Sequence, residues 1–270
     1  MKKKILQKLL LIGTVAWFTT PFLVAPCGQR HEEKAEIIEE IVITTEHEIN
    51  NWVQGWTTGV VNAKEEPYME SKIAKVYMEY EPVNFYFYDS MWCAVKLEDK
   101  VVYINKDYIT TNKTEIEYRQ LMDKRTVTEE WFFEYKEFID KHISEDLPET
   151  IYDCFTENEL DLLFKVVQAE IGDYNFEQKV NVANVIFNRI YSEEFGDTIQ
   201  DVLVANQFCT ITNGRINRVK VDESTILACE YAFSFPDTTN GALFFDSNGT
   251  LNYEFLQSDG AHNFYRKRGE

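Results

Sequence analysis

Apolar positions along the chain change period several times, and each change predicts a different element. Within residues 55–112, Val83, Phe85 and Phe87 alternate with polar neighbours, and Val101-Val102-Tyr103-Ile104 form a further run, so this stretch reads as strands. Across 114–149 the period becomes helical: Trp131, Tyr135, Phe138, Ile139 and His142 share a face that ends near Pro148. From Phe155 the signals sharpen. Thr156 and Glu159 make a capping box, opening a helix with Leu160, Leu163, Phe164 and Val167 on one side. Glu170 lies at its end, and Gly172-Asp173 break it. A second helix spans about Phe176 to Tyr191 and is mostly apolar, hence deeply buried. A third runs from Glu223 to Phe233, with strand-like pieces at Arg215 to Val221 and Ala242 to Phe245. The expected fold class is a multidomain α+β chain: a mainly helical C-terminal domain, 153–270, preceded by a small all-β domain, 55–112, and a helical linker, 113–152.

The start of the chain adds an address. Met1-Lys2-Lys3-Lys4 is a basic opening to the uncharged, largely apolar stretch Leu9 to Ala25, closed by an acidic segment from Glu32. Residues 1–27 read as a signal peptide or membrane anchor, and 28–54 as a charged stalk. Cys27 after Val24-Ala25-Pro26 loosely matches a lipoprotein cleavage box, so cleaved signal, retained anchor and lipoprotein all stay open. The expected location is exported, at the cell wall or the extracellular face of the membrane.

Composition narrows the function classes. With 44% hydrophobic and 14% aromatic residues, packed cores are expected. A net charge of −19 argues against nucleic acid, whose phosphates need a basic footprint, and offers nothing to anionic lipid beyond the N-terminal segment. A neutral glycan fits better. Cys93, Cys154, Cys209 and Cys229 show no metal-ligand spacing and read as free thiols or one disulfide. His142 has no partner at ligand spacing and reads as a core or flank residue; no metal or cofactor is expected.

Glu170 carries the candidate chemistry. A carboxyl at the negative end of an apolar helix favours its protonated form, through desolvation and the helix dipole alike. A protonated carboxylic acid is what the cleavage of a glycosidic bond requires. On position alone, an exposed Glu ending a helix is the commoner reading.

Wider motifs change that balance. Leu163-Phe164-Lys165-Val166-Val167-Gln168-Ala169-Glu170, followed by Val182-Ala183-Asn184-Val185-Ile186-Phe187-Asn188-Arg189, resembles the cell-wall hydrolase family typified by the spore-cortex-lytic enzyme SleB. Gln207-Phe208, Gly214-Arg215, Gly241-Ala242-Leu243-Phe244-Phe245 and His262-Asn263-Phe264-Tyr265 continue the likeness, in the family's order, over 157–266. The resemblance implies a lysozyme-like catalytic domain that cuts peptidoglycan glycan strands between N-acetylmuramic acid and N-acetylglucosamine. It implies a lytic transglycosylase with Glu170 as the single acid/base. The chain departs from the family at Asp173 and Tyr174, where a Gly-Glu pair is usual. Asp173 is then a candidate support from one residue earlier, and Tyr174 a candidate substrate contact. Cys209 stands where Ser is frequent.

Several residues have two readings. Asn188 and Arg189 hold the wall of the site or merely bond helix ends. Gln207 binds acetamido groups or caps a loop, with Phe208 beside it as a substrate contact. His262 faces the glycan or ties down the C-terminus. Glu177, near the start of its helix, is explained by the dipole alone.

A second resemblance lies upstream. Thr57-Thr58-Gly59-Val60-Val61-Asn62, Lys64, Pro67, Ser71-Lys72-Ile73, Trp92, Val95-Lys96, Tyr103-Ile104 and Tyr108-Ile109 look like a divergent bacterial SH3 (SH3b) domain, a small barrel. It implies binding to peptidoglycan peptide stems, with Tyr86, Tyr88 and Trp92 either stacking on ligand or filling the core. A monomer is expected, since no oligomerisation heptad is evident. Two alternative functions remain open: an N-acetylmuramoyl-L-alanine amidase, for which His262 alone falls short of a zinc ligand set, and a non-catalytic peptidoglycan-binding protein.

Overall fold

A computed structural model describes residues 52–143, 147–192, 194–203 and 208–269. The expected leader, most of the stalk and Gln207 lie outside these residues. Among the described residues no helix is long and apolar enough to cross a membrane. The chain divides into two compact units, the first ending at Lys124 and the second running from Arg125. The architecture is multidomain α+β, as the periodicity predicts.

The first unit is a seven-stranded antiparallel sheet. Its strands are β1 (Val53–Thr57), β2 (Val61–Lys64), β3 (Ile73–Tyr77), β4 (Pro82–Phe87), β5 (Trp92–Leu97), β6 (Lys100–Asn105) and β7 (Ile109–Thr110). They lie in the order β3-β2-β6-β5-β4-β1-β7. Alternate residues of these strands meet in one apolar interior: Val61, Ala63, Tyr77, Val83, Phe85, Cys93, Val95, Val102 and Ile104. Alternation places Val83 and Phe85 inside, but Phe87 is 69% exposed. It is the last residue of β4, opposite buried Cys93, and period alone does not show where a core stops. Gly55 is required by close packing, since a Cβ there would lie 2.7 Å from the Phe85 ring and 2.8 Å from the Thr110 carbonyl oxygen.

The stretch read as one linker, 113–152, divides between the units. Helix α1 (Lys113–Asp123) falls in the first, tied to it by Tyr80, whose hydroxyl donates to Asp123 at 2.6 Å. Helix α2 (Glu129–His142) falls in the second, where Trp131 and Phe132 pack edge-on against Tyr231 and Phe235. His142 is exposed and stacks on Phe138, a flank residue.

The second unit continues with α3 (Ile151–Cys154), α4 (Glu157–Ile171), α5 (Phe176–Tyr191), α6 (Ile199–Val202), α7 (Cys209–Thr212) and α8 (Glu223–Ser234). A small sheet of β8 (Phe244–Asp246), β9 (Glu254–Ser258) and β10 (Asn263–Arg266) follows, ordered β8-β10-β9 and antiparallel throughout. Helix α4 starts at the expected capping box: Thr156 accepts from the Glu159 amide, and Glu159 accepts from the Thr156 amide. Helix α5 buries nearly its whole circumference. Phe264 and Ala242 pack with Val185 of α5, locking the small sheet onto that helix. The expected strand over Arg215 to Val221 does not form. Gly214 adopts a left-handed φ of 69°, the Asn213 side chain accepts from the Arg215 amide, and Arg215–Asn217 becomes a 3-10 turn. No disulfide joins Cys93, Cys154, Cys209 and Cys229.

Candidate active site

Glu170 occupies the last turn of α4, and the sequence around it explains how that turn is held. Gly172 ends the helix with φ of 63°, a backbone setting that side chains resist. Two residues before Glu170, buried Gln168 accepts from the Asp222 amide at 3.0 Å and the Thr225 hydroxyl at 2.7 Å, while its amide donates to the Gly172 carbonyl. Asp222 caps α8 and pairs with buried Lys179 of α5 at 2.9 Å. Burial alone would raise the Asp222 carboxyl, but the bonds from Lys179 and Thr225 outweigh it and hold the group below its ordinary range. The end of α4 is thereby fixed to α5 and α8 through a closed polar network.

A cavity of about 590 Å³ opens beside this turn. Glu170, Arg189, Phe208, Cys209, Thr212, Phe245, Asp246, Ser247, Asn248 and His262 line it. Glu170 is half-buried, and its Oε1 accepts a 2.6 Å bond from the hydroxyl of Thr210 on α7. Its Oε2 has no hydrogen-bond partner among the described residues.

Arg189 and His262 supply the polar walls. Arg189 is buried near the end of α5, donating through Nε to the Leu243 carbonyl at 2.7 Å. Its guanidinium lies 4.8 Å from the Phe208 ring, 5.0 Å from Phe195 and 5.5 Å from Phe244, cation–π distances. Burial pushes Arg189 down to about 10, with the Glu170 charge working against that shift. Nη1 of Arg189 and Nδ1 of His262 are the two buried side-chain polar atoms that lack a partner among the described residues, and both belong to lining residues of this cavity. Burial also lowers His262, opposed by Asp259, Glu170 and Asp246, so the imidazole favours its neutral form. Its ring meets Phe245 edge-on at 5.1 Å and Tyr174 at 6.4 Å.

A second carboxylate lines the cavity, and it is fully engaged. Asp246 Oδ1 accepts from the Gly249 amide and the Tyr265 hydroxyl, and Oδ2 from the amide and hydroxyl of Thr250. Burial would raise this carboxyl, yet these four bonds keep it below its usual range. Asp246 ties the 246–250 loop to β10 and leaves little acceptor capacity for substrate.

The remaining sequence candidates separate. Phe208 is 2% exposed and forms a base beneath the cavity, against Arg189 and Phe245. Tyr174 is 55% exposed beside His262, Asp173 is exposed, and neither is among the lining residues. Asn188 donates to Thr239 and to the Ala242 carbonyl, supporting the wall from behind. Sequence reasoning missed Thr210 and Asp246. The spacing Asp246-Ser247-Asn248-Gly249-Thr250 is a turn signal that marks the Asp246 loop, whereas nothing local points from Thr210 to a partner 40 positions away.

In the first unit, a smaller cavity of about 320 Å³ is lined by Val60, Val61, Asn62, Lys64, Met69, Trp92, Asn105 and Tyr108. Trp92 is buried and borders it, Tyr86 packs edge-on against Trp52, and Tyr88 is 48% exposed beside Tyr103. No group of three or more His, Cys, Asp or Glu able to hold a metal converges among the described residues.

Comparison with curated proteins gives no match. Among solved structures, the catalytic domain of the Bacillus cereus SleB protein aligns at 24% identity, covering 42% of this chain and 92% of that one, with a TM-score of 0.38. The catalytic domain of the germination-specific lytic transglycosylase SleB from Bacillus anthracis aligns at 23% identity, covering 43% and 100%, with a TM-score of 0.39. The region holding α5 to β10, residues 174–267, matches the family model described as Cell Wall Hydrolase, so the second unit of this chain carries a cell wall hydrolase region.

Proposed function

We propose that this chain cleaves peptidoglycan glycan strands at the N-acetylmuramic acid to N-acetylglucosamine bond as a lytic transglycosylase, with Glu170 as its one acid/base. The family match begins four positions after Glu170, so the role of this residue rests on the geometry and on the motif around it. One observation carries the reading. Two carboxylates line the cavity; among the described residues Glu170 keeps an oxygen without a partner, while Asp246 is saturated. Hydrolysis with a protein nucleophile or base needs two working carboxylates flanking the scissile bond. A reaction whose nucleophile comes from the substrate needs one.

The steps balance with that single group. Protonated Glu170 gives its proton to the bridging oxygen, and the bond from that oxygen to the muramic C1 breaks. Positive charge develops at C1, and the resulting Glu170 carboxylate lies in the field of Arg189. The muramic 6-hydroxyl then attacks C1, losing its proton to Glu170, which is ready for another cycle. The products are a new N-acetylglucosamine end and a 1,6-anhydro-muramic end. Arg189 and His262, with their unpartnered nitrogens, and the exposed Tyr174 ring are the groups that would hold the sugars, Asn188 keeping the wall in place. Asp173 would act only from the rim. The first unit would contribute binding to the peptide stems, and the leader would place the enzyme on the wall side of the membrane.

Mass analysis of digested peptidoglycan tests this, with Glu170→Gln as control. Anhydromuropeptides are expected from the wild type, with a loss of about a thousandfold in the variant. Reducing muramic ends would instead assign water as nucleophile, free peptide stems an amidase, and an intact polymer a binding protein.

A further inference from the structure

We propose that Thr210 is a positioning residue for Glu170, fixing which carboxylate oxygen carries the transferable proton; this rests on the acid/base reading of Glu170. Thr210 is 2% exposed, in the one-turn helix α7, and its hydroxyl donates to Glu170 Oε1 at 2.6 Å. That distance is a well-formed O–H···O bond. A hydroxyl has one proton to give, and Thr210 spends it here. A glutamate's terminal torsion is otherwise broad and roughly two-fold, so its oxygens exchange freely unless one is pinned. With Oε1 engaged, the proton of the acid form sits on Oε2, the oxygen without a partner among the described residues.

The local chain is built to present this hydroxyl. The amides of Ile211 and Asn213 bond back to Phe208 and Cys209, closing the turn. Phe208 anchors its start on the Arg189 guanidinium. The neighbouring side chains do not duplicate the contact: Thr212 donates to the Cys209 carbonyl, and Cys209 offers only a weak S–H donor. A β-branched Thr also has few χ1 choices, so the hydroxyl is held rather than searching.

The bond acts differently on the two halves of the reaction. It stabilises the carboxylate, which must accept the 6-hydroxyl proton, and it leaves Oε2 aligned to deliver a proton first. The other charged or titratable groups around Glu170 are Arg189 from α5, His262 immediately before β10, Asp246 at the end of β8 and Cys209 from α7. Arg215 approaches the adjoining Gly172. A change at Thr210 leaves all of these in place.

The test compares Thr210→Val, Thr210→Ala and Thr210→Ser with the wild type on purified peptidoglycan, reading kcat, KM, the pH profile and the melting temperature. Val and Ala are expected to lower kcat about tenfold to a hundredfold with KM within about twofold, the loss that follows slight misplacement of a reacting group. Their pH–rate profiles should also depart from the wild type's, because the group that moves the proton is no longer held. Ser should stay near wild type. Ser and Ala both lack the methyl group, so their difference isolates the hydroxyl even where Val packs poorly. Wild-type kcat and pH profile in Ala and Val, or a Ser variant as impaired as Ala, overturns the proposal. An active Glu170→Gln sinks the reading of Glu170 itself, whereas an inactive Glu170→Gln beside a fully active Thr210→Ala removes Thr210 alone.

Discussion

The two units bury different kinds of side chain. Inside the seven-stranded sheet, Thr57 and Ser71 are the buried polar residues among those described, and the rest of its interior is hydrophobic. The second unit buries Gln168, Lys179, Asn181, Asn184, Arg189, Thr210, Thr225 and His262 along with its apolar core. Burying a polar group costs free energy unless its bonds are made. In the second unit these groups are spent on joining elements: Gln168 links α4 to α8, Lys179 links α5 to α8, and Arg189 links α5 to the approach to β8. The two unpartnered atoms, on Arg189 and His262, both belong to the cavity lining. An apolar interior specifies a shape and little else. A polar one specifies the relative placement of the groups that line the cavity.

This contrast can be broken from either side. The largest expected effect is in the apolar interior, where Phe85→Ala should cost about 3–5 kcal/mol in denaturant unfolding through the cavity it leaves. Next comes Lys179→Ala, which strips a buried cation from Asp222 and should cost about 3 kcal/mol, less if solvent reaches the half-exposed carboxylate. The Asp222 carboxyl is lowered in the folded state, so its contribution is full above its ordinary value of 3.8 and is lost as pH falls through the depressed one. Acid unfolding of the Lys179→Ala variant should accordingly show a shallower pH dependence. The smallest change in stability is expected for Gln168→Leu, about 1–3 kcal/mol for unpaired Asp222 and Gly172 backbone groups. Turnover on peptidoglycan should nevertheless fall in that variant, because the last turn of α4 carries Glu170. Unchanged turnover would show that the polar network merely holds the fold together.

What the chain discloses about itself follows the range of the interaction. Capping boxes and helix periods are local, and Thr156, Glu159 and the 176–191 helix were legible from their neighbours alone. Phe87 was not, since alternation continues past the edge of a core that only the folded sheet defines. Arg215 to Val221 has strand-like composition, but Gly214 and Asn213 impose a turn. At the site, motif order singled out Glu170, Arg189 and His262, which the fold brings to one cavity with Phe208 beneath them. The bond from Thr210 to Glu170 and the saturation of Asp246 arise from contacts across the fold that no spacing encodes.

Glu170 stands on the final turn of a helix, and Gly172 releases the backbone immediately afterwards. The carboxylate therefore inherits its place from a helix, while Asp173 and Tyr174 lie exposed in the loop that follows. Substitution at that rim, three and four positions beyond Glu170, leaves the helix that carries Glu170 in place. Under the proposed function, the chemistry would be tied to the helix, and preference among glycans to the loop at its edge.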